Sequence, residues 1–401
     1  MNSPSASSPA LQGIRVIELG QLIAGPFCGK TLGDFGAEVI KVEPPGSGDP
    51  LRSWRLLQDG TSVWWQAQSK NKQSVAIDLR TPEGQEIIRM MVAEADVLIE
   101  NFKPGTLEAW GLGWNELSAI NPGLVMLRIS GFGQDGPYRD RAGFGAIAEA
   151  VGGLRYVTGE PGRVPVRSGV AIGDTLAALH GTIGVLLALY HRKTSGKGQM
   201  IDVALYESVF NCMDGLLPEY SAAGFVREPA GSAMPGVVPS SAYPCTDGLL
   251  VIAANGDSIF KRLMQAIGRG DLGEDPALAT NDGRVPRVVE IDAAISDWTG
   301  GRSVASALDA LTRASVPASK IYTAQDIAGD PHYRARGMIQ SVETRAGSKI
   351  DVPGIVPKLS ATPGVFRSAA PGLGDDTEEV LKRFGISAER IASLLNRNII
   401  G

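Results

Sequence analysis

An α/β fold on a parallel sheet is what this sequence predicts, on three observations. The chain opens with a strand, a glycine-bearing turn, a helix and a second strand. Helical and strand patterns then keep alternating through the first half, as a parallel sheet covered by helices requires. Past a Gly- and Pro-rich stretch, one strand signal followed by amphipathic helices predicts a smaller α+β domain.

The elements justify this in order. In LQGIRVIELGQLIAGPFCGKTLGDFGAEVIKVEPPG the strands are IRVIEL and EVIKVE. Ile77 and Leu79 alternate in the next strand-like run. PEGQEIIRMMVAEA reads as helix, DVLIENF as strand, LEAWGLGWNELSAI as helix and LVMLRISGFG as strand. Small residues then lead to Asp174, followed by an apolar helix expected from Leu176 to Tyr190. Gly215 to Tyr243 lacks periodicity and reads as a connector. DGLLVIAAN restarts strand character, and SIFKRLMQAIG, VEIDAAISDWTG and SVASALDALTRA follow as helices. The expected layout is a disordered tail over 1–10, a large Rossmann-like domain over 11–214, a linker over 215–243 and a small domain over 244–325. A return linker over 326–348 leads to 349–401, which rejoins the large domain and ends in the helical TEEVLKRFGISAERIASLLN.

The 401 residues are 43% hydrophobic and 20% charged, enough apolar material for a full core and two domains. A net charge of −5 gives no footprint for nucleic acid. MNSPSASSPA lacks the basic and apolar regions of a signal peptide, and the Leu176–Tyr190 run falls short of the roughly 20 residues of a membrane span, so no membrane association is expected. Cys28, Cys212 and Cys245 form neither a disulfide framework nor a C-x-x-C site, which points to the cytoplasm. His180, His191 and His332 have no metal-ligand spacing, so no metal is expected.

Two motifs mislead. Glu43 ends the first βαβ unit where a dinucleotide fold places its ribose-binding acid, but Gly20, Gly25 and Gly29 are too widely spaced for G-x-G-x-x-G. AGPFCGKT ends like a phosphate-binding loop, yet Ala24 stands where that loop needs glycine. A G-x-S-x-G elbow is missing too.

Asp174 admits two readings. Aspartate is a preferred N-cap residue, and a carboxylate at a helix start can also attack a thioester. The wider pattern favours the second. QLIAGPFCGKTLGDFGAEVIKVEPPGSGD, SKNKQSVAIDLRTPEG, DVLIENFKPGTLEAWGLG, SGFGQDGP, the Asp174 segment and TSGKGQMIDVALYESV follow one another. In these six strings the chain resembles the class III CoA transferases of the formyl-CoA transferase type, especially dicarboxylate-using members such as succinyl-CoA:glutarate CoA transferase. The resemblance implies that Asp174 is the nucleophile and that a CoA thioester is substrate, with no permanently bound cofactor. It also implies an adenine end lined by Ile77, Asp78, Leu79 and Arg80, a pantetheine path along Ala24, Asn101, Phe102 and Trp110, and a homodimer of interlocked rings. An aspartate with a pKa of about 3.9 is ionised at neutral pH and needs no histidine to activate it. Lys70 and Lys72 are further candidates, as phosphate partners.

Departures from the formyl-transferase pattern bear on the substrate. Ile23 stands where that enzyme has an active-site glutamine, Pro44 and Ala109 replace two adenine-side arginines, Gly145 replaces an acid, and AMPGVVPSSAY shortens the glycine-rich flap. These changes favour a dicarboxylate over formate or oxalate. Arg52 and Arg141 are then candidates to clamp its far carboxylate, with Trp54 and Trp64 shaping the acyl pocket. Two rivals stand beside this reading. An α-methylacyl-CoA racemase needs a second proton carrier, where Gly143, Phe144 and Gly145 stand here. A non-catalytic CoA-binding protein would use Asp174 only as a cap.

Overall fold

The structure, a computed structural model, describes residues 8–401. The expected tail over 1–10 lies outside that range for its first seven residues. The chain divides into two compact units. One runs through Leu154 and takes in Ser168–Asp214 and His332–Gly401, and the other comprises Arg155–Arg167 and Gly215–Pro331.

The first unit is built on six parallel strands: β1 (Arg15–Glu18), β2 (Glu38–Glu43), β3 (Lys72–Ala76), β4 (Val97–Glu100), β5 (Val125–Ser130) and β6 (Met200–Ala204). Their spatial order is β3-β2-β1-β4-β5-β6. The order reverses between β1 and β4, and in open parallel sheets the crevice outside the carboxyl ends at such a point is where ligands bind. Sequence patterning did not expose β6, which lies inside TSGKGQMIDVALYESV with Asp202 at its centre.

Both faces of the sheet are covered, which explains why its strands read as nearly continuous apolar runs. On one face Ile17, Ile40, Val75, Leu98 and Met126 pack with Ile87, Ile88 and Met91 of helix α2 (Pro82–Val92), and with Leu381 and Leu394 from the C-terminal helices Thr377–Arg383 and Ala388–Asn396. On the other, Val16, Val39, Val97 and Leu127 meet helices before and after them in the chain. Of these helices, α1 spans Ala24–Asp34, α3 Gly145–Val151 and α4 Ile172–Ser195. Each such buried Leu or Ile contributes about 1.5–3 kcal/mol. The glycines of α1, inadequate as a dinucleotide fingerprint, serve packing. A methyl group on Gly29 would lie 1.8 Å from Glu18 Oε2.

Three local expectations need correction. The helix expected over LEAWGLGWNELSAI breaks into Thr106–Ala109 and Trp114–Ile120, because Gly111 between them turns left-handed at φ +64°. Ile77 continues β3 only as a single bridge to Ile400, and Leu79 lies beyond the strand. The apolar helix expected from Leu176 to Tyr190 is the 24-residue α4, extended by Ile172–Thr175 and by His191–Ser195 up to a left-handed Gly196. By length and composition α4 suffices to cross a membrane, as buried core helices also do. Ala177, Ala178, Val185 and Ala188 bury one face against the sheet, while Leu179, Ile183, Leu186, Leu187 and Tyr190 stand exposed on another.

The second unit has an antiparallel sheet of Ser240–Cys245, Gly248–Ala253 and Ala318–Lys320. Helices Asp257–Ala266, Val288–Gly300 and Val304–Arg313 supply Phe260, Leu263, Ile291, Ile295 and Leu311 to its core. Residues 215–243, expected as a connector, hold helix Leu216–Ala223 and enter the sheet. Tyr243 is buried there and its hydroxyl donates to Asp292 at 2.6 Å. Residues 155–167, expected in the large domain, belong to this unit. The expected return linker over 326–348 holds helix Pro331–Ala335 and strand Ile339–Glu343.

Candidate active site

Asp174 lies within the first turn of α4, not at its N-cap. That position is Ala171, whose side chain caps nothing. The amide of Gly173 donates instead to the buried Glu149 at 3.5 Å. A carboxylate in the first turn gains roughly 0.3–1 kcal/mol from the positive end of the helix. Gly145, at the start of α3, leaves it room: a methyl group there would lie 2.0 Å from Asp174 Oδ2. Glycine at 145 therefore keeps open the space that Asp174 occupies.

Asp174 opens into a cavity of about 320 Å³ bordered by Ile23, Ala24, Asn101, Phe102 and Arg141. A second cavity of about 330 Å³ is bordered by Ile77, Asp78, Leu79, Arg80 and Trp110, and Gln21 and Phe102 line both. The structure thus gathers the eight residues expected to hold CoA along two adjoining cavities, three of them beside Asp174. Phe102 and Trp110 meet edge to face, with centroids 5.5 Å apart. The exposed Arg80 pairs in two places with Asp78, both at 2.8 Å.

The loop from β1 to α1 lines the Asp174 cavity and is held from below. Asn101 Oδ1 accepts the Gln21 N–H at 2.7 Å, and its Nδ2 donates to Gln21 O at 2.8 Å. Leu22 is left-handed at φ +64°, and its N–H donates to both oxygens of Asp49 at 3.1 Å. Lys41 Nζ donates to Gly20 O at 2.7 Å and pairs with Asp49 at 2.8 Å and Glu18 at 3.2 Å. Burial pulls the Lys41 ammonium down, but Asp49 and Glu18 more than offset it and the net shift is upward. Burial likewise pushes Asp49 up, and Lys41 with the amides of Leu51 and Leu22 brings it below the usual carboxylate range.

Lys70 and Lys72, expected as phosphate partners, belong to this buried framework. Lys70 pairs with Asp34 at 2.8 Å, and Lys72 with Glu18 at 2.8 Å while donating to Pro26 O at 2.7 Å. Burial holds both ammonium groups below their ordinary range. A charge in SKNK looked solvated in sequence because its acidic partners lie 36 and 54 residues away.

Sequence reasoning also missed Glu100, at the end of β4. Burial pushes its carboxyl up to about 7 although Arg128 Nε donates to it at 2.7 Å. Glu100 accepts the Phe102 N–H at 2.8 Å, so this acid supports a cavity residue two positions on. Its only sequence signal was its place just before Asn101.

The substrate candidates separate. Arg52 does not border the Asp174 cavity. Its guanidinium is committed to Glu43, at 2.7 Å and 2.8 Å, and to Pro371 O at 3.1 Å. Arg141 does border that cavity, its guanidinium 3.5 Å from the Tyr138 ring centroid. Trp54 and Trp64 pack together with centroids 6.2 Å apart. Trp64 lines a third cavity, of about 490 Å³, with Arg55, Val63, Val170 and Thr175. Ile23 forms a wall of both this cavity and that of Asp174. Phe144, where a racemase would carry its second acid–base group, borders the Asp174 cavity with a side chain that cannot move a proton.

Comparison with known proteins gives this geometry a context. The family model described as CoA-transferase family III matches residues 11–377. A succinyl-CoA–D-citramalate CoA-transferase of Chloroflexus aurantiacus is 48% identical over 393 residues, 97% of this chain and 98% of the relative. A succinate–glutarate CoA-transferase of Agrobacterium fabrum is 37% identical over 382 residues, covering 93% and 95%. The crystal structure of a CAIB/BAIF family protein from Brucella suis superposes with a TM-score of 0.83 at 35% identity, covering 94% of this chain and 100% of that one.

Proposed function

The chain belongs to CoA-transferase family III, and from that premise we propose that it moves CoA from succinyl-CoA to a dicarboxylic acid through acylation of Asp174. The observation that carries the reading is the Asp174 carboxylate, set in a helix first turn and opening into a cavity that adjoins the Ile77–Arg80 groove through Gln21 and Phe102.

Asp174 attacks the thioester carbonyl, giving a mixed anhydride and CoA thiolate. The thiolate attacks the aspartyl carbonyl, releasing succinate and leaving an aspartyl-CoA thioester. The acceptor carboxylate attacks that thioester, forming a second anhydride and freeing the thiolate again. The thiolate then takes the acceptor acyl group, and Asp174 is restored as carboxylate. Each bond to sulfur or oxygen that breaks is replaced, so no ATP is consumed. The thiolate has to stay close between steps, which is the task of the Ala24, Asn101, Phe102 and Trp110 path and of the Rossmann-like sheet behind it. Arg141 attracts the reacting carboxylate to the cavity, and Trp54 and Trp64 belong to the acyl side.

The exposed apolar face of α4, from Leu179 to Tyr190, supports a homodimer as the working form, since contiguous apolar patches on this scale mark interfaces. Sedimentation analysis tests this: a monomer at micromolar concentration contradicts it. Three free cysteines fit a reducing cytoplasm. The functional test is transfer from succinyl-CoA to a panel of acids. Wild type forms the new acyl-CoA, and Asp174→Ala binds CoA without transfer; an active Asp174→Ala enzyme contradicts the reading.

A further inference from the structure

Arg52, one of the two arginines that the sequence offers as a clamp for the far carboxylate, is neutralised by Glu43. Three residues further on, Arg55 is differently placed. Its guanidinium carbon lies 5.3 Å from the Trp64 ring centroid, and it borders the cavity of about 490 Å³ that shares Ile23 with the Asp174 cavity. Among the described residues no carboxylate pairs with it.

We propose that Arg55 reads the far carboxylate of the acyl group, in the cavity that Ile23 separates from Asp174. The proposal rests on the CoA-transferase reading above and adds its specificity determinant.

Two neighbouring cavities share walls with the one that Asp174 lines. One shares Gln21 and Phe102 and is the groove of Ile77 to Arg80, which the CoA body fills in that reading. The other shares Ile23, and its wall includes Ala171, the N-cap of α4, and Thr175, the residue after Asp174. Ile23, Phe27, Val63 and Val170 make that wall apolar, suited to methylene groups and costly for an unpaired carboxylate. A guanidinium at its edge supplies the missing charge with paired donors matched to two carboxylate oxygens. Trp64 holds that guanidinium by cation–π contact without consuming its charge. Arg141 lines the Asp174 cavity instead, and in that reading it lies on the side of the reacting carboxylate. Isoleucine at 23, where the formyl-transferase type has glutamine, moves polar recognition away from the reacting carbon and out to Arg55.

The test compares glutarate with pentanoate, a monocarboxylate of the same chain length, at saturating succinyl-CoA. Pentanoate is measured as acceptor or, if it reacts too slowly, as competitive inhibitor. Arg55→Gln affects the succinyl-CoA half-reaction alike for both acids, and is expected to raise KM for glutarate relative to that for pentanoate roughly tenfold to a hundredfold, the loss of a charge-assisted contact. Arg55→Lys recovers part of the glutarate affinity. Equal shifts for both acids, no shift for either, or a glutarate-selective loss in Arg141→Gln instead would overturn the assignment. A wild-type protein that moves CoA to no acid sinks the enzymatic reading, and glutarate binding by calorimetry in wild type and Arg55→Gln then still decides the role of Arg55.

Discussion

Asn101 grips Gln21 by both of its backbone polar groups, accepting its N–H at 2.7 Å and donating to its carbonyl at 2.8 Å. Gln21 is the residue that, with Phe102, borders both adjoining cavities. A side chain at the end of one strand therefore sets the loop leaving its neighbour, at the point where the sheet order reverses.

Asn101→Asp tests that grip. The carboxylate keeps the contact with the Gln21 N–H but turns oxygen against oxygen at its carbonyl. Leaving that carbonyl unpaired costs about 1–3 kcal/mol. Expected are a lower melting temperature and a KM for acyl-CoA raised about tenfold, a change that corresponds to about 1.4 kcal/mol. An unchanged KM for acyl-CoA contradicts a role for the loop in holding CoA.

Gly145→Ala separates catalysis from folding. Alanine is a better helix former than glycine, by about 1 kcal/mol in a helix interior, but Gly145 opens α3 and the crowding there offsets much of that gain, so the fold is kept with little net change in stability. Its methyl group would lie 2.0 Å from Asp174 Oδ2, and the carboxylate has to move. Displacing a reacting group by about 1 Å costs around a hundredfold. The expected outcome is kcat/KM down by about that factor in a protein that still folds and melts cooperatively near wild type. Full activity shows that Asp174 reacts from another position.

Glu100 predicts a pH dependence whose sign is fixed. Its carboxyl is pushed by burial from an ordinary 4.5 to about 7 in the folded protein, so between those values the folded state binds more protons than the unfolded one. Its contribution to stability is complete below pH 4.5 and is lost as pH rises through 7. Glu100→Gln lowers the baseline, because Arg128 loses a partner, but removes this slope. Chemical denaturation of both proteins from pH 5 to 8 checks it. Parallel curves contradict the assignment.

Much of the fold was legible because its strands are buried on both faces. IRVIEL, EVIKVE, DVLIE and LVMLRIS need no tertiary information to be read as strands, and the helix around IIRMMV follows from its spacing. Within the site, Asp174 and the eight residues expected to hold CoA were named through motif resemblance, and all of them border the two adjoining cavities. The charges were not. Lys41, Lys70, Lys72 and Glu100 look solvated in a linear string, and only the sheet brings Lys41 to Asp49, Lys72 to Glu18 and Glu100 to Arg128. Arg52 and Arg55 differ by three positions and have similar sequence surroundings, yet Glu43 pairs with the first and not the second. Residues 215–243 misled because Gly and Pro content obscured an eight-residue helix that ends on a left-handed Gly224.

The central claim is that Asp174 itself carries the acyl group. Incubation with succinyl-CoA, quenching with hydroxylamine and peptide mass spectrometry tests it directly. A hydroxamate on Asp174 that requires succinyl-CoA is the predicted result. An unmodified Asp174 in enzyme that is still accumulating product, or a hydroxamate on another residue, contradicts the account.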